Sequence, residues 1–279
     1  MTGTVSEALR EAAARLSATS DTARLDAELL MAQALGVSRS DLLLRHARDP
    51  VPPDFAALID RRAAREPVAH ILGEQEFYGR PFCVTADTLI PRGDSEVLVE
   101  AALAITPPPA RVLDLGTGSG ALLLSVLAEG AAEGVGTDRS AAALDVAREN
   151  ANRLDLDDLA RFELRDWHEE GWADDLGRFD LILCNPPYVE SDAELDPDVR
   201  DYEPASALFA GADGLDEYRA LMPQLAPLLT RDGVVIFEIG FGQADAVTAL
   251  AAAEGYAATL HRDLAGRARA LVMTRGIKR

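Results

Sequence analysis

Four residues, Asn185-Pro186-Pro187-Tyr188, end the apolar run Phe179-Asp180-Leu181-Ile182-Leu183-Cys184. Two consecutive prolines remove two backbone donors and fix two φ angles. The carbonyl of Pro186 is then aimed outward with no competing N–H beside it, and Asn185 adds a side-chain carbonyl. Two fixed acceptors of this kind suit an NH2 group on a planar π system, and Tyr188 offers a flat surface to stack against that plane. A nitrogen conjugated in this way is a weak nucleophile. Acceptors on its two hydrogens orient it and stabilise the positive charge that develops as it attacks. With a good leaving group opposite, such a displacement needs positioning more than covalent catalysis. Asn185, Pro186, Pro187 and Tyr188 are therefore the candidate catalytic residues.

A second pattern lies upstream. Val112-Leu113-Asp114-Leu115-Gly116-Thr117-Gly118-Ser119-Gly120-Ala121 reads as strand, tight turn and helix. Glycines in such a turn adopt positive φ freely and let the backbone approach a ligand. Asp138, 20 residues beyond Gly118, ends the next strand, where a carboxylate can accept from both hydroxyls of a ribose. The cleft is read as a nucleoside site formed by Gly116, Thr117, Gly118, Ser119, Gly120 and Asp138. The same spacing satisfies the relaxed dinucleotide fingerprint, and a purely structural turn is a third reading. Asp114, two residues before the first glycine, and the lack of a second domain after the sheet favour S-adenosylmethionine. Asp166 and Trp167 follow the third strand, placed to meet an adenine amine and a purine face; an exposed acid beside a core-edge indole is the bland alternative.

These residues need a parallel sheet to hold them. From residue 93 onward, β-branched and apolar runs alternate with helical patterns, which predicts a sheet covered on both faces. Strands are expected over 111–115, 134–137, 161–164, 181–184, 234–239, 258–261 and 268–274, the last two as an antiparallel edge hairpin. The clearest helices are 121–128, 141–153 and 217–230. Residues 71–92 read as a β-hairpin, with β-prone runs 75–78 and 82–84 around Gly79-Arg80-Pro81 and the turn at the glycine. Residues 1–70 read as a helical bundle. Val5, Leu9, Ala13 and Leu16 recur at helical spacing, and Ser20 or Asp21 offers a cap for a helix that Gly36 closes. Ser38 or Ser40 starts a third helix. A fourth follows Pro52-Pro53, with Phe55, Leu58 and Ile59 on one face and arginines on the other. The division expected is 1–70 helical, 71–92 hairpin and 93–279 site-bearing.

Composition narrows the partners. The 279 residues are 48% hydrophobic and 27% charged, ordinary values for a folded chain. With 27 basic and 47 acidic side chains the net charge is -20, a poor match for duplex DNA, whose binders draw most of their affinity from phosphate contacts. No apolar run is long enough to span a bilayer, and the opening residues lack the apolar core of a secretory leader. A cytoplasmic location is expected. Cys83 and Cys184 fit reduced thiols, and Cys184 reads as a small buried strand residue, not a nucleophile. His46, His70, His168 and His261 stand at no metal-ligand spacing, so no metal is expected. The acidic stretch Glu190-Ser191-Asp192-Ala193-Glu194-Leu195-Asp196 reads as a solvated loop, with a flap over the substrate as the alternative.

The glycine turn combined with Asn-Pro-Pro-Tyr resembles class I methyltransferases of planar-amine nitrogens, and the chain closely resembles the HemK/PrmC family of release-factor glutamine methyltransferases over nearly its whole length. The more specific matches are Pro67-Val68-Ala69-His70-Ile71-Leu72-Gly73-Glu74-Gln75-Glu76-Phe77-Tyr78-Gly79 and Leu89-Ile90-Pro91-Arg92-Gly93-Asp94-Ser95-Glu96. Glu203-Pro204, Ala207-Leu208, Asp213-Gly214-Leu215 and Glu238-Ile239-Gly240 add to them. Gly93 and Ser95 depart from the usual proline and threonine. The resemblance implies a Rossmann-like, mostly parallel seven-stranded methyltransferase sheet with an N-terminal helical bundle and a linking hairpin. It also implies S-adenosylmethionine as methyl donor, with S-adenosylhomocysteine as product, held by Gly116–Gly120, Asp138, Asp166, Trp167 and Asn185. The acceptor it implies is the glutamine amide of the Gly-Gly-Gln tip of class-1 release factors, docked by the helical domain; a monomer is expected. A ribosomal-protein glutamine methyltransferase shares most of these motifs, an adenine N6-methyltransferase shares the two central ones, and a binding module that has lost activity would keep the fold.

Overall fold

The computed structural model describes residues 3–276. The chain forms two compact units: Met1–Glu74 with Leu195–Tyr202, and Gln75–Glu194 with Glu203–Arg279. The first is helical. Its elements are α1 (Val5–Leu16), α2 (Ala23–Leu35), α3 (Arg39–Arg45), α4 (Phe55–Ala63) and α5 (Val68–Leu72). Val5, Ala8, Leu9, Ala12 and Leu16 form the buried stripe of α1, packed with Leu30, Met31, Phe55 and Ile59. Ala12, not Ala13, lies on that stripe. Gly36 closes α2 in the left-handed conformation at φ 66, and Ser38 caps α3 by accepting from the Asp41 N–H. The N-cap of α2 is Thr22, one residue past the expected pair, because Ser20 is committed to the Thr22 N–H and to the Asp26 carboxylate.

One arginine departs from the expected solvated face of α4. Arg62 is buried, donating to Asp26 at 2.7 Å and, across 136 residues of sequence, to Asp198 at 2.7 Å. Asp198 belongs to the short helix α9 (Pro197–Arg200), and the Tyr202 hydroxyl donates to the Ala64 carbonyl at 2.8 Å. Burial works against the Arg62 charge, and the two carboxylates outweigh it. Glu190 to Glu194, the first part of the acidic stretch, are exposed.

The hairpin strands are β1 (Glu74–Phe77) and β2 (Arg80–Cys83). The turn falls at the expected glycine, as Tyr78-Gly79, where φ is 50 and 70. Positive φ at both central residues gives the twist that a two-residue hairpin needs. Next come α6 (Glu96–Leu103), β3 (Arg111–Leu115), α7 (Ala121–Ala128), β4 (Glu133–Asp138), α8 (Ala141–Arg153), β5 (Ala160–Leu164) and β6 (Phe179–Cys184). After α9 follow α10 (Asp216–Leu221), β7 (Leu229–Glu238), α11 (Ala244–Ala253), β8 (Tyr256–Arg262) and β9 (Ala268–Arg275). The helix expected over 217–230 stops at Leu221. Pro223 and Pro227 remove the amides it would need, so 3-10 turns at Met222–Gln224 and Ala226–Leu228 lead into a strand that begins at Leu229.

The seven-stranded sheet runs β5-β4-β3-β6-β7-β9-β8, with β9 antiparallel to both neighbours and the other pairings parallel. Alternate residues of the central strands feed two cores. Val112, Leu181, Leu183 and Ile236 pack with α6, α7 and the hairpin phenylalanines, while Leu113, Ile182, Val235 and Phe237 pack with α10 and α11. The chain winds outward from β3 to β5, then returns to β6 on the other side. Strand order reverses between β3 and β6, and in open α/β sheets ligands bind at the carboxyl ends there.

Candidate active site

Register brings the two sequence motifs together. Leu115 pairs with Cys184 across β3 and β6, so Gly116 and Asn185 leave neighbouring strand ends. Thr137 pairs with Leu115 and Asp138 with Leu164. Cys184 pairs with Phe237, which sets Glu238 at the same level. Each candidate thus follows a parallel strand, and one cleft is lined by Gly116, Thr117, Gly118, Ser119, Asp138, Trp167, Asn185 and Pro187.

The glycine loop takes left-handed φ at Gly116, Gly118 and Gly120 (69, 55 and 80). A Cβ at Gly118 would meet open space, whereas one at Gly116 would come within 3.3 Å of the Trp167 ring. Gly120, the N-cap of α7, does not line the cleft; a Cβ there would come within 3.3 Å of Ala147, so the glycine lets α8 pack close. Asp138 accepts from the Gly118 N–H at 3.0 Å and the Ser140 N–H at 2.9 Å, and burial raises its pKa. Each of its oxygens keeps a lone pair for a further donor.

Trp167 borders the cleft with its indole N–H fixed by the Glu217 carboxylate at 2.6 Å, which also meets His168 Nε2 at 3.0 Å. Asp166 lies outside the lining residues and accepts from the His168 N–H at 2.9 Å, capping the turn that carries Trp167. Asp114 is buried beneath the loop and accepts from the Thr117 hydroxyl at 2.6 Å. Burial pushes its pKa up to about 7. Burial likewise drives the Cys184 thiol well above its ordinary range, which leaves it inert as a nucleophile.

The proline corner divides its residues between two hollows. Asn185 and Pro187 face the cleft, Pro186 is buried, and Tyr188 borders an adjoining recess with Gln75, Arg92, Asp94, Glu238 and Arg269. Pro91 and Arg92 line both hollows. The Tyr188 hydroxyl donates to Glu238 Oε1 at 3.1 Å, and its carbonyl accepts from Gln243 Nε2 at 3.0 Å. Gln243 also reaches the Gly214 carbonyl and accepts from the Gly240 N–H. A Cβ on Gly214 would lie 2.3 Å from the Tyr188 carbonyl oxygen. Asp213-Gly214-Leu215 and Glu238-Ile239-Gly240, which no local chemistry explained in the sequence, converge here on the backbone and ring of Tyr188.

Other lining residues come from stretches that matched the family without showing a role in the sequence. Pro204, Ser206 and Ala207 close one side of the cleft, tied by Arg139 donating to the Ser206 carbonyl at 2.8 Å. Arg92 pairs with the buried Glu203, which also accepts from the Ile90 N–H at 3.0 Å. The two Glu203 contacts join segments over a hundred residues apart, beyond what local spacing reveals. No group of three or more His, Cys, Asp or Glu among the described residues could hold a metal ion.

The residues fit S-adenosylmethionine. Gly118 leaves room where a side chain would fill the cradle, Asp138 stands ready for ribose hydroxyls, and Trp167 supplies an aromatic wall. A solved methyltransferase from Pyrococcus furiosus shares the fold at a TM-score of 0.51 and 16% identity, covering 78% of this chain and 98% of that one. Models of the PrmC N-terminal domain and of a methyltransferase domain match residues 7–73 and 108–226. The release factor glutamine methyltransferase of Cereibacter sphaeroides is 46% identical over 272 residues, covering 94% of this chain and 95% of its own. That of Bordetella pertussis is 44% identical over 252 residues, covering 87% and 92%. Likeness of this extent, spanning both units and the motifs that meet at the cleft, makes the chain a member of the release factor glutamine methyltransferase family.

Proposed function

We propose that this chain transfers a methyl group from S-adenosylmethionine to the side-chain amide nitrogen of the glutamine in the Gly-Gly-Gln motif of class-1 release factors. The observation that carries the reading is the Leu115–Cys184 register, which sets the glycine loop and the Asn185 corner at the two sides of one cleft. Gly116 to Ser119, Asp138 and Trp167 would hold the donor, which supplies an electrophilic methyl on a sulfonium. Asn185 and the Pro186 carbonyl accept from the amide NH2, orient its nitrogen, and stabilise the charge that develops there. The ring of Tyr188 walls the acceptor side. No strong base is required, because the proton leaves after transfer. The helical unit docks the release factor.

The enzyme acts as a monomer in the cytoplasm without binding DNA. The net charge of -20 supports the last point, and no helix among the described residues is long and apolar enough to cross a membrane. The test is incubation with cofactor and a class-1 release factor, followed by peptide mass analysis. The Gly-Gly-Gln peptide is expected to gain one methylene on its glutamine, and an unmodified peptide overturns the reading. Asn185→Ala is expected to slow turnover by roughly 100-fold or more at unchanged melting temperature; full activity in that variant would remove the pocket assignment.

A further inference from the structure

We propose that Glu238 is a positioning residue for the acceptor side of this reaction, holding the Tyr188 ring in place through its phenol. The inference rests on the reading of the Asn185–Tyr188 corner as the amide site. Glu238 is the last residue of β7 and is 1% exposed. A carboxylate so deeply buried is costly unless its oxygens are satisfied. Here the satisfaction comes from hydroxyl groups. Ser95 donates to Oε2 and Tyr188 to Oε1, while the Tyr218 hydroxyl donates to the main-chain carbonyl at 2.8 Å. Three hydroxyls from three separate segments meet on one residue. An apolar side chain would fill a strand end at lower cost, so core packing alone does not account for an acid at this point.

The charged surroundings agree with that role. Arg269 lies close enough to favour the Glu238 charge, yet its Nη2 is given to Asp94 at 2.9 Å. Asp94 acts in the opposite sense, and burial dominates, raising the Glu238 pKa. Burial also holds the Tyr188 phenol well above its ordinary range, so the phenol remains the donor of the shared hydrogen bond.

Tyr188 is anchored at two points with separate tasks. Gln243 fixes its backbone through the carbonyl, and Glu238 fixes the far end of the ring. The recess beside the pair is the space into which an untethered ring would turn. A ring displaced by an ångström leaves the acceptor amide poorly aligned, and misplacement of that size costs up to about 100-fold in rate. Glu238 does not itself line the cofactor cleft and touches it through the Ser95 hydroxyl, whereas it holds the Tyr188 ring directly, so the larger effect falls on the acceptor.

The experiment measures kcat, KM for the glutamine peptide, and cofactor Kd by calorimetry in four variants of the full chain. Glu238→Ala is expected to lower kcat roughly 10- to 100-fold and raise peptide KM, with cofactor Kd within about twofold of wild type. Tyr188→Phe, which keeps the ring and deletes the tether, is expected to lose a comparable factor. The double variant is expected to be no worse than Glu238→Ala, the coupling signature of one shared interaction. Glu238→Gln keeps length and an acceptor oxygen, and is expected to recover activity to within about fivefold of wild type. Additive losses in the double variant, an equal loss of cofactor affinity, or Gln as damaging as Ala at unchanged melting temperature would overturn the proposal. Should Glu238→Ala fail to fold, Tyr188→Phe with wild-type kcat overturns it alone. Failure of the proposed function appears in the wild-type chain, and failure of this inference only in the variants.

Discussion

Asp114 sits under the glycine loop with one oxygen on the Thr117 hydroxyl and the other, Oδ1, without a hydrogen-bond partner among the described residues. Burial raises its pKa from the ordinary carboxylate range to about 7, with the nearby Asp138 charge adding to the rise. The folded chain therefore holds this proton where the unfolded chain has released it. Stability from this group is complete below the unfolded pKa and is lost as pH climbs through about 7. Asp114→Asn keeps an acceptor for Thr117 and removes the titration. We expect the wild-type melting temperature to fall relative to the Asn variant between pH 5 and pH 8, read by calorimetry at fixed ionic strength. Parallel curves would show that Asp114 does not titrate in that window. At this scale the sequence was informative about location where one residue's chemistry is self-contained: Asn185, Gly118 and Asp138 line one cleft at the ends of neighbouring strands. Glu238 and Glu203 stood in matched motifs and Arg62 on a face read as solvated, yet none showed its role, because a lone acid or base reveals nothing until its distant partner is known.

Elements were legible wherever periodicity and end signals agreed. Helices α7 and α8 and strand β3 match the expected spans, since the apolar run, the glycine or serine at the start and the polar residues at the end all concur. The stretch after α10 misleads because Leu221, Leu225 and Leu228 keep helical spacing while Pro223 and Pro227 break the backbone. How elements dock was not legible at all. Asn150, buried in α8, accepts from the Cys83 N–H at 2.6 Å and donates to the carbonyls of Cys83 at 3.0 Å and Ser119 at 2.9 Å. One amide thus ties hairpin strand β2 and the glycine loop to a single helix. Asn150→Ala strands a backbone donor and two acceptors in the interior, each costing about 1–3 kcal/mol if left unpaired. We expect a lower melting temperature together with weaker cofactor binding by calorimetry, because Ser119 lines the cleft. A destabilised variant with unaltered cofactor Kd would confine Asn150 to the hairpin.

For the molecule as a whole, the units do not follow the chain. The sequence expectation drew contiguous boundaries at 70 and 92, yet Leu195–Tyr202 is counted with the helices of Met1–Glu74. The cause is chemical. Arg62 is buried in α4 with Asp26 on one side, and its second carboxylate, Asp198, comes from α9. Arg65 reaches the same carboxylate at 3.3 Å, and Tyr202 closes the end of α4 through the Ala64 carbonyl. A fragment ending at Glu74 would keep every helix of the bundle and lose half of the charge compensation at its centre. Within the full chain, Asp198→Ala leaves Arg62 with Asp26 alone in a poorly hydrated site, a loss of about 1–3 kcal/mol. That loss belongs to the helical unit. We expect amide hydrogen exchange in α2 and α4 to speed up by roughly 10-fold or more, while the amides of β3 and β6 exchange as in wild type. Equal acceleration in both units would mean that the chain unfolds as one cooperative body, and unchanged exchange in α4 would mean that Asp26 alone sustains the Arg62 charge.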